Sequence, residues 1–113
     1  MLALPAGIKV YLATEPVDRR LGHDGLAARV ERHLQKQFLG GHLFVFFNRS
    51  KNRVKILYYD DHGSCLWYKR LASGRYRLPR LDGRCQQISR SDLTCLLEGI
   101  DLLLANRLQT LAL

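Results

Sequence analysis

The fold is decided by residues 42–70, which read HLFVFFNRSKNRVKILYYDDHGSCLWYKR. This stretch contains three apolar runs that are separated by the turn sequences NRSKN and DDHG. Short runs of β-branched and aromatic residues between such turns are typical of consecutive antiparallel strands. We therefore predict three such strands, with Phe47 opposite Val54 across the first turn and Asp60 opposite Gly63 across the second.

The period of two along each strand assigns the side chains of this sheet to two faces. The first face is apolar and is the predicted core face, with Leu43, Val45, Phe47, Val54, Ile56, Tyr58, Cys65 and Trp67. The second face mixes aromatic rings with positive charge, with Phe44, Phe46, Lys55, Leu57, Tyr59, Leu66, Tyr68 and Arg70. A mixed face of this kind either stacks bases and contacts phosphates or packs beneath a helix, with the cations at its margin. Packing is the more common use of aromatic residues on a sheet.

The segments before this stretch predict one more strand and a helix. Residues 8–14, IKVYLAT, are rich in β-branched and aromatic residues and predict a strand. Apolar residues recur every fourth position over Leu26–Phe38, which predicts an amphipathic helix that Gly40 and Gly41 close. We expect this helix to pack against one face of the sheet.

The segments after it predict an arm and a second helix. Residues 74–80, GRYRLPR, are basic, and Pro79 favours an edge strand or an extended arm over a central strand. The arginines of that arm either follow a phosphate backbone or keep the edge solvated. Ser89 and Asp92 resemble a capping box ahead of a leucine-rich helix face, so we expect a helix at the end or edge of the sheet.

These elements predict one α+β domain: a mainly antiparallel sheet of about four strands, a packed amphipathic helix and a C-terminal helix. The chain has 113 residues, of which 47% are hydrophobic, which suits a single domain. We place its core at about residues 8–101. The leucine-rich tail 102–113 predicts docking on the domain, self-association into a homo-oligomer, or extension as an amphipathic helix.

Charge gives the first indication of function. The chain carries 18 Lys and Arg residues against 10 Asp and Glu, a formal net charge of +8. The excess is concentrated between Arg49 and Arg80, where Asp60 and Asp61 are the acidic residues. The basic residues of this segment are Arg49, Lys51, Arg53, Lys55, Lys69, Arg70, Arg75, Arg77 and Arg80. Clustered cations favour a polyanionic partner such as DNA, although a solvated basic surface also keeps a small protein soluble.

Other classes of function receive little support. Residues 60–63, DDHG, bring carboxylates beside an imidazole, but a hairpin turn requires such residues on conformational grounds, so we predict no metal site and no cofactor. No phosphate-cradling or dinucleotide motif is present, and we predict no enzymatic activity. The three cysteines are expected to be reduced packing residues. Without a membrane-spanning run or a secretory signal, we expect a cytoplasmic protein that does not bind membranes.

Three motifs in this sequence resemble the TnpB-type accessory proteins of the bacterial insertion-sequence class numbered sixty-six. They are D-x-R-x-G-x-D-G-L-A from Asp18 to Ala27, K-I-L-x-x-D-x-x-G from Lys55 to Gly63, and Y-K-R-L from Tyr68 to Leu71. The resemblance spans about Ile8 to Asp101. It implies a non-catalytic helper of transposition that is encoded beside a separate, larger transposase. This sequence differs from the family pattern at Leu78, where the family usually has a tryptophan.

The resemblance and the charge pattern together predict contact with DNA, with the transposase, or with both. The residues that we expect to contact DNA are Lys55, Lys69, Arg70, Arg75, Arg77 and Arg80. The alternative is a protein-interaction adaptor that uses its apolar tail and exposed aromatic residues. The acidic motif residues Asp18, Asp24 and Asp60 are expected to organise the fold, and Arg20 is expected either to pair with Asp24 or Asp60 or to contact phosphate.

Overall fold

The computed structural model describes residues 7–32, 36, 40–81 and 83–98. In these ranges the chain forms a mixed β-sheet and two helices. The elements are β1 (Val10–Ala13), α1 (His23–Arg32), β2 (Leu43–Phe47), β3 (Arg53–Tyr59), β4 (Ser64–Arg70), β5 (Cys85–Ile88) and α2 (Arg90–Leu97). The prediction of an α+β fold is therefore confirmed.

The strands lie side by side in the order β4-β3-β2-β1-β5. Strand β1 runs parallel to β2, while the other three pairings are antiparallel, as expected for a mainly antiparallel sheet. Phe47 pairs with Val54 across the first turn. At the second turn, the Asp60 amide donates to the Gly63 carbonyl at 3.0 Å. Both predicted registers are confirmed.

The sheet has one strand more than the four expected, because Cys85–Ile88 pairs with β1 along its outer edge. Residues 74–80 form no strand. Their anchor is instead the buried Tyr76, whose ring lies 5.3 Å from the ring of Phe47, centre to centre, and whose amide donates to the Lys51 carbonyl at 2.7 Å.

The first face of the sheet is a buried core, as predicted. Side chains from β1, β2, β3 and β5 meet there, together with Tyr76 and three leucines of α2. These leucines are Leu93, Leu96 and Leu97. The sequence predicted α2 at the end or edge of the sheet; the helix does follow the edge strand β5, but its apolar side is part of this core. Burial of a leucine side chain stabilises the fold by about 1.5–3 kcal/mol, which explains why the helix turns inward.

The second face is covered by α1. Leu26 and Val30 pack over Phe44, Phe46 and Leu57, and the Phe44 side chain is 0% exposed. The central rings therefore pack beneath a helix and cannot stack bases.

Helix α2 shows the local signal that was read from the sequence. The Ser89 hydroxyl accepts a hydrogen bond from the Asp92 amide at 2.9 Å, and the Asp92 carboxylate accepts one from the Ser89 amide, which completes the capping box. Helix α1 begins at His23, earlier than predicted, and its predicted extension to Phe38 falls mostly outside the described residues, as does the tail 102–113. Neither of the described helices is long and apolar enough to span a membrane.

Candidate nucleic-acid interface

Positive charge gathers at one end of the sheet, where β1, β2 and β4 end and β3 and β5 begin. We call this region the basic end. Its described cationic residues are Arg19, Arg20, Arg49, Lys51, Arg53, Lys69, Arg70, Arg75, Arg77 and Arg84. Glu15 and Asp18 are acidic residues in the segment that follows β1 at this end. The sheet topology thus gathers cations that are spread over more than half of the sequence.

Strand pairing and backbone contacts fix the positions of these cations. Arg53 pairs with Arg70 at the ends of β3 and β4. Arg75 and Arg77 flank Tyr76, whose amide is bound to the Lys51 carbonyl in the turn between β2 and β3. All four arginines therefore reach the same end of the sheet, although they come from three different segments.

The cationic residues predicted to contact DNA fall into three environments. Lys69 and Arg70 are exposed on the edge strand β4 and point to opposite faces of the sheet. Arg75, Arg77 and Arg80 are exposed along the segment that follows. Of these residues, Lys69, Arg70, Arg75 and Arg77 lie at the basic end. Beside them, Tyr68 is 47% exposed.

Lys55 has a structural role. Its ammonium group donates hydrogen bonds to the carbonyl oxygens of Arg19 and Leu21, the second at 2.6 Å, and lies 5.4 Å from the centre of the Tyr68 ring. Two of its three donors are therefore used to hold the segment between β1 and α1 against the sheet. Lys55 positions Arg19, whereas its own contact with DNA stays a prediction.

Arg20 pairs with Asp18, whereas the sequence offered Asp24, Asp60 or phosphate as its partners. The Arg20 guanidinium donates to both carboxylate oxygens of Asp18, at 3.2 and 3.1 Å, and the Arg20 amide donates to the same carboxylate at 2.8 Å. These bonds from Arg20 lower the pKa of Asp18 to about 2. Asp18 organises its loop, in agreement with the predicted fold-organising role, and neutralises one arginine of the basic end.

The rest of the first motif also serves the fold. Gly25 lies in α1 where an added Cβ would sit 2.6 Å from Leu21 Cδ2, so a larger residue there would require the Leu21 side chain to move. The next residue, Leu26, is fully buried under the sheet. The motif therefore describes how the chain enters α1.

The turn between β2 and β3 is held by Asn48, a largely buried polar side chain. Its Oδ1 accepts hydrogen bonds from the amides of Asn52 and Arg53, at 3.1 and 3.0 Å, and its Nδ2 donates to Asn52 Oδ1 at 2.7 Å. Lys51 in this turn has a φ of 57°, in the left-handed region that lysine rarely adopts. The turn thus presents Arg49 and Lys51 on a fixed backbone.

An open cleft of about 680 Å³ lies between this turn and the loop that precedes α1. It is lined by Pro16, Val17, Asp18, Arg19, Arg20, Asn48, Arg49, Ser50 and Arg53. Sequence reasoning did not select any of its four arginines as contact residues. Arg19 and Arg49 lie 30 positions apart, and the proximity of their two segments follows only from tertiary pairing, such as the bond from the Val17 amide to the Phe47 carbonyl at 2.9 Å.

The DDHG turn has the structural role that its residue types favour. Asp60 Oδ1 accepts hydrogen bonds from the His62 and Gly63 amides, both at 2.8 Å, and these bonds lower the pKa of Asp60. The other oxygen accepts a longer one from the Cys65 thiol, at 3.4 Å. Within the described part of the chain, no three His, Cys, Asp or Glu residues are grouped closely enough to hold a metal ion.

Comparison with known proteins adds family relationships. The family model for IS66 Orf2 like protein matches residues 8–107. The uncharacterized protein y4hO of Sinorhizobium fredii is 43% identical to this chain over 100 residues, which cover 87% of each protein. A second uncharacterized protein of that organism, y4jC, is 32% identical over 101 residues, which cover 89% of this chain and 86% of y4jC. No solved structure matches the chain.

Proposed function

Because the chain belongs to the IS66 Orf2-like family of insertion-sequence accessory proteins, we propose that it assists transposition as a non-catalytic factor that contacts DNA through the basic end. The coarser role follows from the family. The DNA contact is our own proposal, and the observation that carries it is the concentration of cations at one end of the sheet.

The charge at the basic end exceeds what the fold itself uses. Asp18 neutralises Arg20, and the Lys55 ammonium is held by backbone carbonyls. Lys69 and Arg70 are exposed, and neither has an ion-pair partner among the residues that the structure describes. Uncompensated cations repel one another, and a polyanion relieves that repulsion. Each DNA phosphate that they neutralise also releases bound counterions, which favours binding at low salt.

The test is fluorescence anisotropy of the full chain with short single- and double-stranded DNAs across a salt series. Each DNA is used with and without a terminal repeat of an insertion sequence. We expect binding that weakens steeply with salt, with a log–log slope of about −0.9 per phosphate contact on duplex DNA. Preference for the repeat would make the protein a factor that recognises the ends of the element.

A matched pair of variants connects binding to the basic end. Lys69→Ala with Arg70→Ala removes two charges from β4, and Lys9→Ala with Arg32→Ala removes two exposed charges outside the basic end. We expect the first pair to weaken binding roughly tenfold or more at low salt, because two charge-assisted contacts are lost, and the second to have a much smaller effect. Equal losses in both pairs, or binding that salt does not change, would refute the proposed DNA contact.

The separately encoded transposase is a second proposed partner. A chain that binds no DNA even at low salt but co-purifies with that transposase would act as an adaptor. Charged substitutions at Leu103, Leu104 and Leu108 in the tail should then abolish co-purification. If the chain instead binds DNA through the basic end, the same substitutions should leave that binding intact.

A further inference from the structure

The cleft at the basic end contains arginines that the fold does not neutralise. Of its four arginines, Arg20 is paired with Asp18. The side chains of Arg19, Arg49 and Arg53 have no ion-pair or hydrogen-bond partner among the described residues. A concave site attracts a compact anion when it has three such guanidinium groups and when its one carboxylate, Asp18, is already paired with Arg20.

The walls of the cleft are held in place before any ligand binds. On one side, the Val17 amide is bound to the Phe47 carbonyl, and Lys55 holds the carbonyl oxygens of Arg19 and Leu21. On the other side, the Asn48 side chain fixes the turn that carries Arg49 and Arg53. Fixing these backbones in advance reduces the entropy that ligand binding would otherwise lose.

We propose that this cleft is a phosphate-binding site in which Arg19, Arg49 and Arg53 together hold the non-bridging oxygens of one phosphate group. Guanidinium groups suit this ligand because their planar array of donors matches phosphate oxygens in pairs. The volume of about 680 Å³ lies within the range of about 300–1,000 Å³ typical of small-ligand sites, so a nucleotide-sized group can enter. This inference rests on the proposed DNA contact. It places the protein's strongest contact with a single DNA phosphate in the cleft.

Two sources supply the same chemistry on DNA: an internal phosphodiester and a terminal phosphate. Anisotropy with a 5′-phosphorylated hairpin, the same hairpin with a 5′-hydroxyl, and a circular single strand separates them. Tighter binding of the phosphorylated hairpin assigns the cleft to a strand end. Equal binding of all three assigns it to an internal phosphate.

The cleft is tested with the variant Arg19→Gln with Arg49→Gln, compared with Lys9→Gln with Arg32→Gln. All four side chains are exposed, so neither variant removes a buried contact. We expect the cleft variant to bind DNA about tenfold or more weakly than the control, because two charge-assisted contacts are lost. Urea unfolding of both variants verifies that the fold is retained.

A second measurement does not depend on DNA. Inorganic pyrophosphate is titrated into the full chain while the arginine Nε–H and backbone amide resonances are followed by NMR. We expect saturable shifts at Arg19, Arg49, Ser50 and Arg53, and their loss in the cleft variant. Shifts spread over surface cations without saturation would overturn the proposal.

The two proposals can fail separately. If the wild-type chain binds DNA and the cleft variant matches its control, the cleft inference is wrong and the DNA contact stands. If the chain binds no DNA but pyrophosphate saturates the cleft, the cleft is a phosphate site and the DNA contact is wrong. Failure of both measurements refutes both proposals.

Discussion

The two ends of the sheet use their polar residues in opposite ways. At the end where β3 turns into β4, Asp60 binds the amides of its own turn and Ser64 is hydrogen-bonded to His23 at 2.7 Å. Nearby, His42 Nδ1 accepts a hydrogen bond from the Lys9 amide at 3.1 Å. At the basic end, by contrast, the side chains of Arg19, Arg49 and Arg53 form no ion pair or hydrogen bond in the part of the chain that the structure describes.

We interpret this difference as one between polar residues that stabilise the fold and residues that are left for a ligand. A polar group that is satisfied locally contributes to the fold and has little left for a ligand. A cluster of like charges with few counterions destabilises the fold, so its presence indicates a use outside the fold. The predictions that follow test this separation.

The largest expected effect comes from removing the side chain that holds the basic end together. Asn48→Ala leaves the Asn52 and Arg53 amides without their side-chain acceptor, so we expect the free energy of unfolding to fall by about 2 to 3 kcal/mol. DNA affinity should fall as well, because the turn that carries Arg49 loosens. Urea unfolding measures the first effect and anisotropy the second.

The control for this change lies in the same turn. Ser50 is exposed, and Ser50→Ala should alter the free energy of unfolding by less than about 0.5 kcal/mol. Similar losses in both variants would mean that Asn48 does not organise the turn.

An intermediate effect on stability is expected for Lys55, whose ammonium group is hydrogen-bonded within the fold, whereas Lys69 is exposed. Lys55→Met removes the donors that bind the Arg19 and Leu21 carbonyls, and we expect a loss of about 1 to 2 kcal/mol in the free energy of unfolding. The slope of log affinity against log salt should stay near the wild-type value. Lys69→Met should have little effect on the free energy of unfolding. It should reduce the magnitude of the slope of log affinity against log salt by about 0.9. A reduced slope in Lys55→Met would make Lys55 a direct DNA contact.

The smallest expected effect is the acid titration of the two motif carboxylates. Asp18 titrates at about 2 because Arg20 binds its charged form, and the pKa of Asp60 is lowered by the His62 and Gly63 amides. Because both folded pKa values are depressed, each group adds stability above its unfolded value of about 4, and this stability is lost as pH falls through the folded value.

Salt distinguishes the two causes. Carboxyl resonances followed by NMR should show the pKa of Asp18 rising in concentrated salt, which screens the exposed Arg20 charge, and a smaller change for Asp60. An equal response of both groups would show that the same interaction lowers both pKa values, contrary to the hydrogen bonds described above.

Predictions from local sequence signals agreed best with the structure. The register of Phe47 with Val54 followed from turn residues and a period of two, and the Ser89 cap followed from a four-residue pattern. Strand β5 was missed because CQQI is short and has no clear alternation. Its strand conformation depends on hydrogen bonds from β1, which lies about 70 residues earlier in the chain.

The sequence by itself determined strands β1 to β4, both faces of the sheet, the family motifs and the excess of positive charge. Only the tertiary structure decided where that charge lies, because the parallel pairing of β1 with β2 brings the loop that carries Arg19 beside the turn that carries Arg49. The structure also shows that Lys55 is hydrogen-bonded within the fold and that Arg20 forms an ion pair with Asp18. Composition and periodicity report local preference, whereas a cleft forms from contacts between segments far apart in the chain.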